Sequence, residues 1–230
     1  LEQAYGNAAK NNLILYDMMT ERYDVINIVQ KQLMQEKELF GERIKGTHDN
    51  PAIESQSVHQ FIKMVSGKPL ISPQWYYDVE RQGDGITVVT THVIDQLMWK
   101  CFPDQTINYK TDVQVSDASR WVTTISLQDY QTWSNSVIFP VFLQKDILND
   151  TLNVYANGSI QFQINGVQAK INVAWNAKTQ EGVGDKHKFI VKGTKAVLYI
   201  LQGEKEGYQP KLYVRNSGNV PEDIFRKNMD

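Results

Sequence analysis

The sequence predicts an α+β fold, with an open-faced, largely antiparallel sheet that carries helices on one face. Two patterns predict this class. In the first half of the chain, apolar residues recur at steps of three and four, which is the helical period. Beyond Thr111 they alternate with polar residues, which is the period of a half-buried strand. The 230 residues are 41% hydrophobic and 22% charged, a composition that excludes a disordered chain, collagen and a coiled coil.

The opening of the chain predicts a helix, a strand and a second helix. Residues 1–12 carry Leu1 and several alanines at helical spacing. Residues 13–16 form a short apolar run, which we interpret as a buried strand. Helical spacing resumes in residues 25–34, and Asp17, Thr20 or both are suited to cap that helix. This order fits the end of a doubly wound nucleotide-binding domain, although it is too short to be that domain.

The middle of the chain predicts one more strand and two helices. Residues 40–47 are interpreted as a short strand, and residues 55–66 as a helix that ends before Gly67 and Pro69. Residues 85–101 carry a nearly continuous set of apolar side chains and therefore predict a longer, mostly buried helix.

The second half predicts a meandering sheet. Asn157-Gly158 and Asn165-Gly166 are interpreted as hairpin turns, because Asn-Gly favours tight turns between antiparallel strands. The predicted strands are residues 111–115, 151–155, 159–164, 168–175, 189–192, 196–202 and 211–214. We expect the open face to be apolar enough to form a dimer, because the few helices cannot cover all of Val154, Ile160, Phe162, Ile171, Val173 and Trp175.

Charge and hydropathy exclude several classes of partner. The net charge is −2 and the basic residues are dispersed, so neither nucleic acid nor an anionic membrane is an expected partner. No apolar run is long enough for a membrane span, and the first residues lack a signal-peptide pattern, which predicts a soluble segment. The chain does not begin with Met, so we interpret it as a processed or excised piece.

Self-sufficient catalytic motifs are absent from the sequence. It contains no GxxxxGK[ST], HExxH or GxSxG, and no GxGxxG between a strand and a helix. The glycines of Gly182-Val183-Gly184 precede a predicted strand instead. The four histidines lie far apart in sequence and Cys101 is the single cysteine, so no metal site is predicted. Within its apolar run, Cys101 is expected to be a buried, inert thiol rather than a nucleophile.

His92 and Asp95 are the best candidates for chemistry. They lie three residues apart on the predicted helix of residues 85–101 and therefore share a face. A carboxylate one turn away can orient an imidazole and raise its basicity, as a general base near neutral pH requires. The alternative is a buried helix in which these two polar side chains bind only each other and have no role in chemistry.

Three other segments offer substrate-binding candidates. Glu21 and Arg22 lie at the predicted strand-to-helix turn, where ligands gather in α/β folds, although capping and salt bridging are equally consistent. Asp185 and His187 share one side if the backbone is extended, and the alternative is a solvated loop. Trp75 offers a flat face for stacking on a sugar, and the alternative is a core aromatic.

Eight segments, in order from about residue 13 to residue 214, resemble one family. It is the Gfo/Idh/MocA group, which includes glucose–fructose oxidoreductase and inositol dehydrogenase. Within this group, the segments most resemble the branch that carries a bacterial oxidoreductase C-terminal domain. The resembling segments are LYDMMTERYDV, ESQSVHQFIKMVSGKPL, SPQWYYDVERQGDGI, TTHVIDQLMW, FPDQ, LNVYANGSIQF, GVGDKHKF and KGTKAVLYI.

The resemblance implies a division of the chain. Family members are NAD(P)-dependent enzymes, mostly acting on sugars or cyclitols, with an N-terminal Rossmann domain and a C-terminal open-faced α/β domain. Residues 1–16 would then be the last helix and strand of the dinucleotide-binding domain. Residues 17–230 would be the substrate-binding and oligomerisation domain. The glycine-rich turn and the Glu-Lys-Pro motif of the family should lie upstream, since Lys68-Pro69 is in a different part of the family pattern.

The resemblance also implies a function. His92 falls where the family places its catalytic histidine and Asp95 where it has the Asp of His-x-x-Asp, whereas Val88 replaces an Asp that the family often has. The implied protein is a fragment of an oxidoreductase for a sugar or cyclitol, inactive alone. NAD or NADP would bind the intact parent but not this fragment tightly. The implied partners are a carbohydrate-like small molecule and other copies of the chain, in the bacterial cytoplasm or periplasm.

Two alternatives to this function stay open. One is a non-catalytic carbohydrate-binding or assembly protein that has the same fold. The other is a glycosidase that uses NAD transiently, as the family's glycosidase-type members do.

Overall fold

A computed structural model describes residues 2–16, 19–178 and 182–229. Leu1 and Asp17, which the sequence assigns to the first helix and to a helix cap, lie outside the described residues. The described α-helices are α1 (Glu2–Lys10), α2 (Val25–Leu33), α3 (Val79–Gln82), α4 (Gly85–Cys101), α5 (Leu127–Ser134) and α6 (Glu222–Lys227). Short 3₁₀ helices span Thr20–Tyr23, Gln74–Tyr77 and Val141–Asp146.

The described strands fall into one large sheet and one small ribbon. They are β1 (Ile53–Gln60), β2 (Met64–Val65), β3 (Lys68–Pro69), β4 (Val113–Ser126), β5 (Ile147–Leu148), β6 (Thr151–Ile164), β7 (Val167–Asn176), β8 (Lys186–Lys192), β9 (Ala196–Gln202) and β10 (Lys211–Asn216). The large sheet has the order β10-β9-β8-β1-β7-β6-β4, with β5 also paired to β6. Strand β1 runs parallel to β7, whereas the other described pairings are antiparallel. The predicted α+β class is therefore confirmed.

Helices α2 and α4 cover one face of the sheet and enclose the main core. Helix α4 has the predicted bounds, and Asp84 caps it by accepting a hydrogen bond from the amide of Thr87. Helix α2 is capped by Asp24, whose carboxylate accepts from the amide of Ile26. The prediction that Thr20 caps this helix is wrong, because Thr20 begins the 3₁₀ turn that precedes the helix.

The six apolar residues assigned to an exposed face lie under the helices instead. The prediction that they remain exposed is therefore wrong. Four of them are buried, namely Val154, Phe162, Ile171 and Val173, and two are partly buried, namely Ile160 and Trp175. The opposite face carries charged pairs, with Glu54 bound to Lys192 at 2.7 Å and to Lys188 at 3.7 Å. Helix α4 alone contacts three strands, which is why so few helices can cover this surface.

Two predicted strands are absent from the described structure. Residues 13–16 are exposed, with Ile14 88% accessible, and no described strand pairs with them. Residues 40–47 form a turn and a loop with two isolated bridges, Arg43 to Gly193 and Gly46 to Pro51. A short apolar run does not reveal whether a neighbouring strand is available, so periodicity alone predicts too much here.

The helix predicted for residues 55–66 is a strand over most of its length. Strand β1 places Ile53, Ser55 and Ser57 on the covered face and Glu54 on the other. Serines on the inward positions concealed this alternation, while the later apolar residues happened to recur at helical steps. Pairing with β7 and β8 on either side determines the conformation.

One of the two predicted Asn-Gly turns is confirmed. Asn165 and Gly166 have φ values of 49° and 77°, the left-handed pair that a tight hairpin between β6 and β7 requires. Asn157 and Gly158 lie inside β6 instead. The Asn157 side chain donates to the Thr123 hydroxyl and accepts from the amide of Trp175. These contacts hold the dipeptide in an extended strand.

Candidate functional site

A cleft of about 420 Å³ lies between α4 and the covered face of the sheet. This volume is within the range of roughly 300–1,000 Å³ that is typical of small-molecule sites. The cleft brings together four of the residues predicted from sequence: Glu21, His92, Asp185 and His187. Arg22, Asp95 and Trp75 are not among the residues that line it.

His92 lies on α4 and pairs with Glu21 of the 3₁₀ turn Thr20–Tyr23. The distance from its Nδ1 to the Glu21 Oε2 is 3.3 Å, and both side chains are partly exposed. A carboxylate at Nδ1 favours the proton on that nitrogen and leaves Nε2 as a proton acceptor. The predicted pairing of His92 with Asp95 is wrong, because Glu21 takes the position beside the imidazole.

Asp95 pairs with Arg22 instead. Arg22 Nε donates to the Asp95 Oδ2 at 2.8 Å and its Nη2 donates to Oδ1, which makes a bidentate ion pair. Asp95 is largely buried in this contact. The two residues of α4 that share a face therefore contact consecutive residues of the 3₁₀ turn. Arg22 fixes the turn on the helix, and that contact places Glu21 beside His92.

The sheet wall of the cleft contains a second imidazole–carboxylate pair. His59 Nδ1 lies 3.1 Å from the Asp185 Oδ2, and Lys63 donates to the same oxygen. Burial alone would raise the pKa of Asp185, but hydrogen bonds from His59 and Lys63 outweigh it and hold the pKa below its usual value. The helical spacing of residues 55–66 conceals His59, which lies in strand β1. Its register opposite Trp175 in β7 is the signal that places it here.

His187 lies beside this pair on β8. Its Nδ1 is 3.0 Å from the Ser57 hydroxyl. The pKa of His187 is lowered to about 4, chiefly by burial and also by the neighbouring Lys100 and His59 side chains, which outweigh the opposite effect of Glu21. His187 is therefore neutral near pH 7. The prediction that Asp185 and His187 belong to one site agrees with their common place in the cleft lining.

A fully buried lysine lies behind the cleft. Lys100 Nζ donates to the side-chain oxygens of Asn27 at 2.7 Å, Gln30 at 2.9 Å and Gln96 at 3.0 Å, and it sits 4.1 Å from the ring centroid of Phe189. Burial lowers its pKa to about 7. Asn27 and Gln96 also line the cleft, so Lys100 fixes two of its polar groups. Apart from its place in an apolar helix, no sequence pattern indicates a role for Lys100.

Aromatic side chains in the structure fall in places that the sequence did not indicate. Trp75 lies in the 3₁₀ turn Gln74–Tyr77, is 45% exposed and stays outside the cleft lining. Trp175 lines the cleft instead, with its ring centroid 4.8 Å from that of His59. Cys101 is buried on the core side of α4, and burial raises its pKa to about 12. Its thiol therefore stays protonated at neutral pH.

The described residues do not form a dinucleotide cradle. Such a cradle needs a glycine-rich turn from a strand into a helix with an accessible N-terminus. The turn before α4 follows helix α3, and a Cβ at Gly85 would lie 1.7 Å from the Ala156 carbonyl oxygen, so this helix start is packed against β6. Within the described ranges, no cluster of His, Cys, Asp or Glu suits a metal ion. None of the described helices is long and apolar enough to cross a membrane.

Comparison with known families shows to which family the chain belongs. Residues 29–230 match the family described as "Putative oxidoreductase C terminal domain". The chain belongs to this family. The resemblance to oxidoreductases of the Gfo/Idh/MocA type is thereby confirmed. No curated protein matches the chain.

Solved structures support the same assignment for this oxidoreductase C-terminal domain. An oxidoreductase from Parabacteroides merdae is 42% identical with a TM-score of 0.94, and the match covers 99% of this chain and 52% of that one. Levoglucosan dehydrogenase in complex with NADH and L-sorbose is 13% identical with a TM-score of 0.51, covering 92% and 46%. The transcriptional regulator Gal80p of Kluyveromyces lactis is 14% identical with a TM-score of 0.52, covering 99% and 52%. The last two share the fold, and the chain spans about half the length of each of the three.

Proposed function

We propose that this chain is the substrate-binding domain of an NAD(P)-dependent oxidoreductase that acts on a sugar or cyclitol, with His92 as the proton acceptor. The observation that carries the proposal is the contact between His92 Nδ1 and Glu21 at the wall of the cleft. The contact gives the histidine at the family's catalytic position a carboxylate that orients it. The division of the chain at residue 16, with residues 1–16 assigned to a dinucleotide-binding domain, stays a prediction.

In this reaction the substrate carbinol loses a hydride from carbon and a proton from oxygen. A nicotinamide supplies the hydride acceptor when bound. The described residues offer no cradle for it, so we assign them only the binding of the substrate and the transfer of its proton. His92 Nε2 accepts the hydroxyl proton. Glu21 holds the imidazole by its other nitrogen and stabilises the imidazolium that forms.

The other cleft groups fit a ring that carries hydroxyls. Side-chain amides and a hydroxyl supply both donors and acceptors, and one indole offers an apolar face: Asn27, Gln96, Gln202, Ser57 and Trp175. The neighbouring levoglucosan dehydrogenase structure holds L-sorbose, a polyhydroxylated ligand, which supports this class of substrate.

The test is turnover by the longer protein that contains this chain, with NAD⁺ and NADP⁺ against myo-inositol, D-glucose, D-galactose and D-xylose. His92→Asn should lower kcat by roughly 10²- to 10⁴-fold, the usual contribution of a positioned general base. The matched control is His48→Asn, because His48 is an exposed imidazole that pairs with Asp49 and does not line the cleft. Turnover of His92→Asn within threefold of the wild-type protein would refute the assignment.

One observation favours a second candidate, a non-catalytic carbohydrate-binding protein of the same fold. Val88 lies on the cleft wall one turn before His92, where the family often has an Asp, so the imidazole lacks that carboxylate. Gal80p shows that the fold also serves a transcriptional regulator. Binding of a polyol without turnover by the longer protein would favour this candidate.

A further inference from the structure

We infer that His59 is a second hydroxyl-binding residue, so that the cleft holds an uncharged polyol through two separate hydroxyls, one at His92 and one at His59. The inference rests on the proposed function and deepens it by assigning a specificity-determining residue on the sheet wall. The two imidazoles come from different layers, one from α4 and one from β1.

The contacts of His59 fix the orientation of its ring and favour one of its two tautomers. Its Nδ1 lies 3.1 Å from the Asp185 Oδ2, and Lys63 keeps that carboxylate ionised by binding the same oxygen. An ionised carboxylate accepts hydrogen bonds and does not donate them. The geometry therefore favours the tautomer with the proton on Nδ1, which leaves the lone pair on Nε2 to accept a hydrogen bond.

The Nε2 atom of His59 is buried and has no hydrogen-bond partner among the described residues. The same holds for Nε1 of Trp175, whose ring packs against the imidazole. Buried polar atoms in folded proteins are nearly always paired, so an unpaired acceptor and an unpaired donor in neighbouring cleft residues indicate a missing ligand. A hydroxyl group can donate and accept at once, which matches this pair of atoms.

The charges of the lining favour an uncharged ligand. Glu21 and Asp24 contribute carboxylates, and Lys186 contributes the opposing ammonium. The charge of Asp185 is matched by Lys63. No arginine occurs among the described lining residues, whereas phosphate and carboxylate sites usually use arginine in a bidentate pair. A sugar phosphate or a uronic acid would therefore bind less well than its uncharged parent.

The experiment compares KM and kcat in the longer protein for the best polyol of the panel above. His59→Ala should raise KM by about 5- to 150-fold, the effect of losing one buried hydrogen bond, and should change kcat little. His59→Gln should restore most of the affinity, because its amide oxygen can accept in place of Nε2. His48→Ala is the control for removal of an imidazole. Thermal melts of each variant confirm that it is folded.

Monodeoxy analogues of that polyol locate the hydroxyl. For one analogue, the KM of the wild-type protein should rise by the same factor that His59→Ala causes with the parent polyol. The KM of His59→Ala should not rise further with that analogue. If His92→Asn abolishes turnover while His59→Ala leaves KM unchanged, the inference fails and the proposed function stands. A sugar phosphate with a higher kcat/KM than its uncharged parent also overturns the inference.

Absence of turnover with every polyol would refute the proposed function instead. The inference is then decided by ¹⁵N resonances of the histidine rings in this chain, titrated with myo-inositol and D-glucose. A saturable shift at His59 Nε2, with the His48 ring unshifted in the same titration, would support the site. No shift with either polyol would overturn it.

Discussion

Replacing Gly85 by Ala should destabilise the domain and displace the start of α4, the helix that carries His92. An ideal Cβ at Gly85 would lie 1.7 Å from the carbonyl oxygen of Ala156, and ordinary contact begins at 3.4 Å. This oxygen belongs to the backbone of β6 between Val154 and Asn157, which both pair with β4 and so limit how far it can move. The helix start must therefore withdraw from the sheet by about 1.7 Å.

The magnitude follows from two opposing effects. Overpacking of this kind costs about 1–3 kcal/mol, and Ala regains about 0.5–1 kcal/mol of helix propensity over Gly. The net loss in the free energy of unfolding should be about 0–2.5 kcal/mol, and a central value of about 1 kcal/mol lowers Tm by roughly 2–4 °C for a domain of this size. His92 lies two turns further along α4, and a misplacement of about 1 Å in a catalytic group can cost about 10²-fold in rate.

Thermal melts followed by far-UV circular dichroism measure the loss of stability. The matched control is Gly6→Ala in α1, where an added Cβ meets nothing within 4 Å and Tm should stay the same or rise slightly. In the longer protein, Gly85→Ala should lower kcat, although Gly85 does not line the cleft and the substitution replaces none of its side chains. A Tm for Gly85→Ala equal to that of Gly6→Ala would refute the close contact between α4 and β6.

Three further predictions concern this chain as it stands. It should bind NAD⁺ and NADP⁺ more weakly than micromolar, because the described residues offer no glycine-rich helix start for the pyrophosphate, and calorimetry showing micromolar binding would contradict this. Its stability should decrease by roughly 1–3 kcal/mol as pH falls from 6.5 to 4, because His187 takes up a proton in the unfolded chain before it does so in the folded one. Urea unfolding measures this slope, which His187→Gln should flatten. A homo-oligomer through the sheet face stays a prediction, but it would have to use the face that carries Glu54 and Lys192, because the six apolar residues are in the core, and light scattering from a strict monomer would count against it.

Local patterns predicted the elements whose conformation depends on near neighbours. Helix α4 has the predicted bounds because its apolar residues cover most of its surface and Asp84 caps it. Strand β9 likewise has the predicted bounds, and Asn165-Gly166 forms a hairpin because its two residues tolerate positive φ. In each case the deciding interactions lie within a few residues along the chain.

Long-range pairing decided the elements that the sequence misassigned. Strand β1 takes its conformation from β7 and β8, which lie more than a hundred residues later. Residues 13–16 stay exposed because no described strand pairs with them, which a local pattern cannot reveal. Five of the six apolar residues expected on an open face belong to the core under α4, which crosses three strands at once, and Val154 packs in a second cluster with Tyr130 of α5.

The sequence by itself determined the fold class, the helix that carries His92 and four residues of the cleft lining. Only the tertiary structure decided their partners. Glu21 binds His92 because the pair between Arg22 and Asp95 fixes the 3₁₀ turn on α4, and His59 enters the cleft through the register of β1. Periodicity reports which face of an element is apolar, but side-chain pairing depends on the distance between elements, and that distance is set only when the core packs.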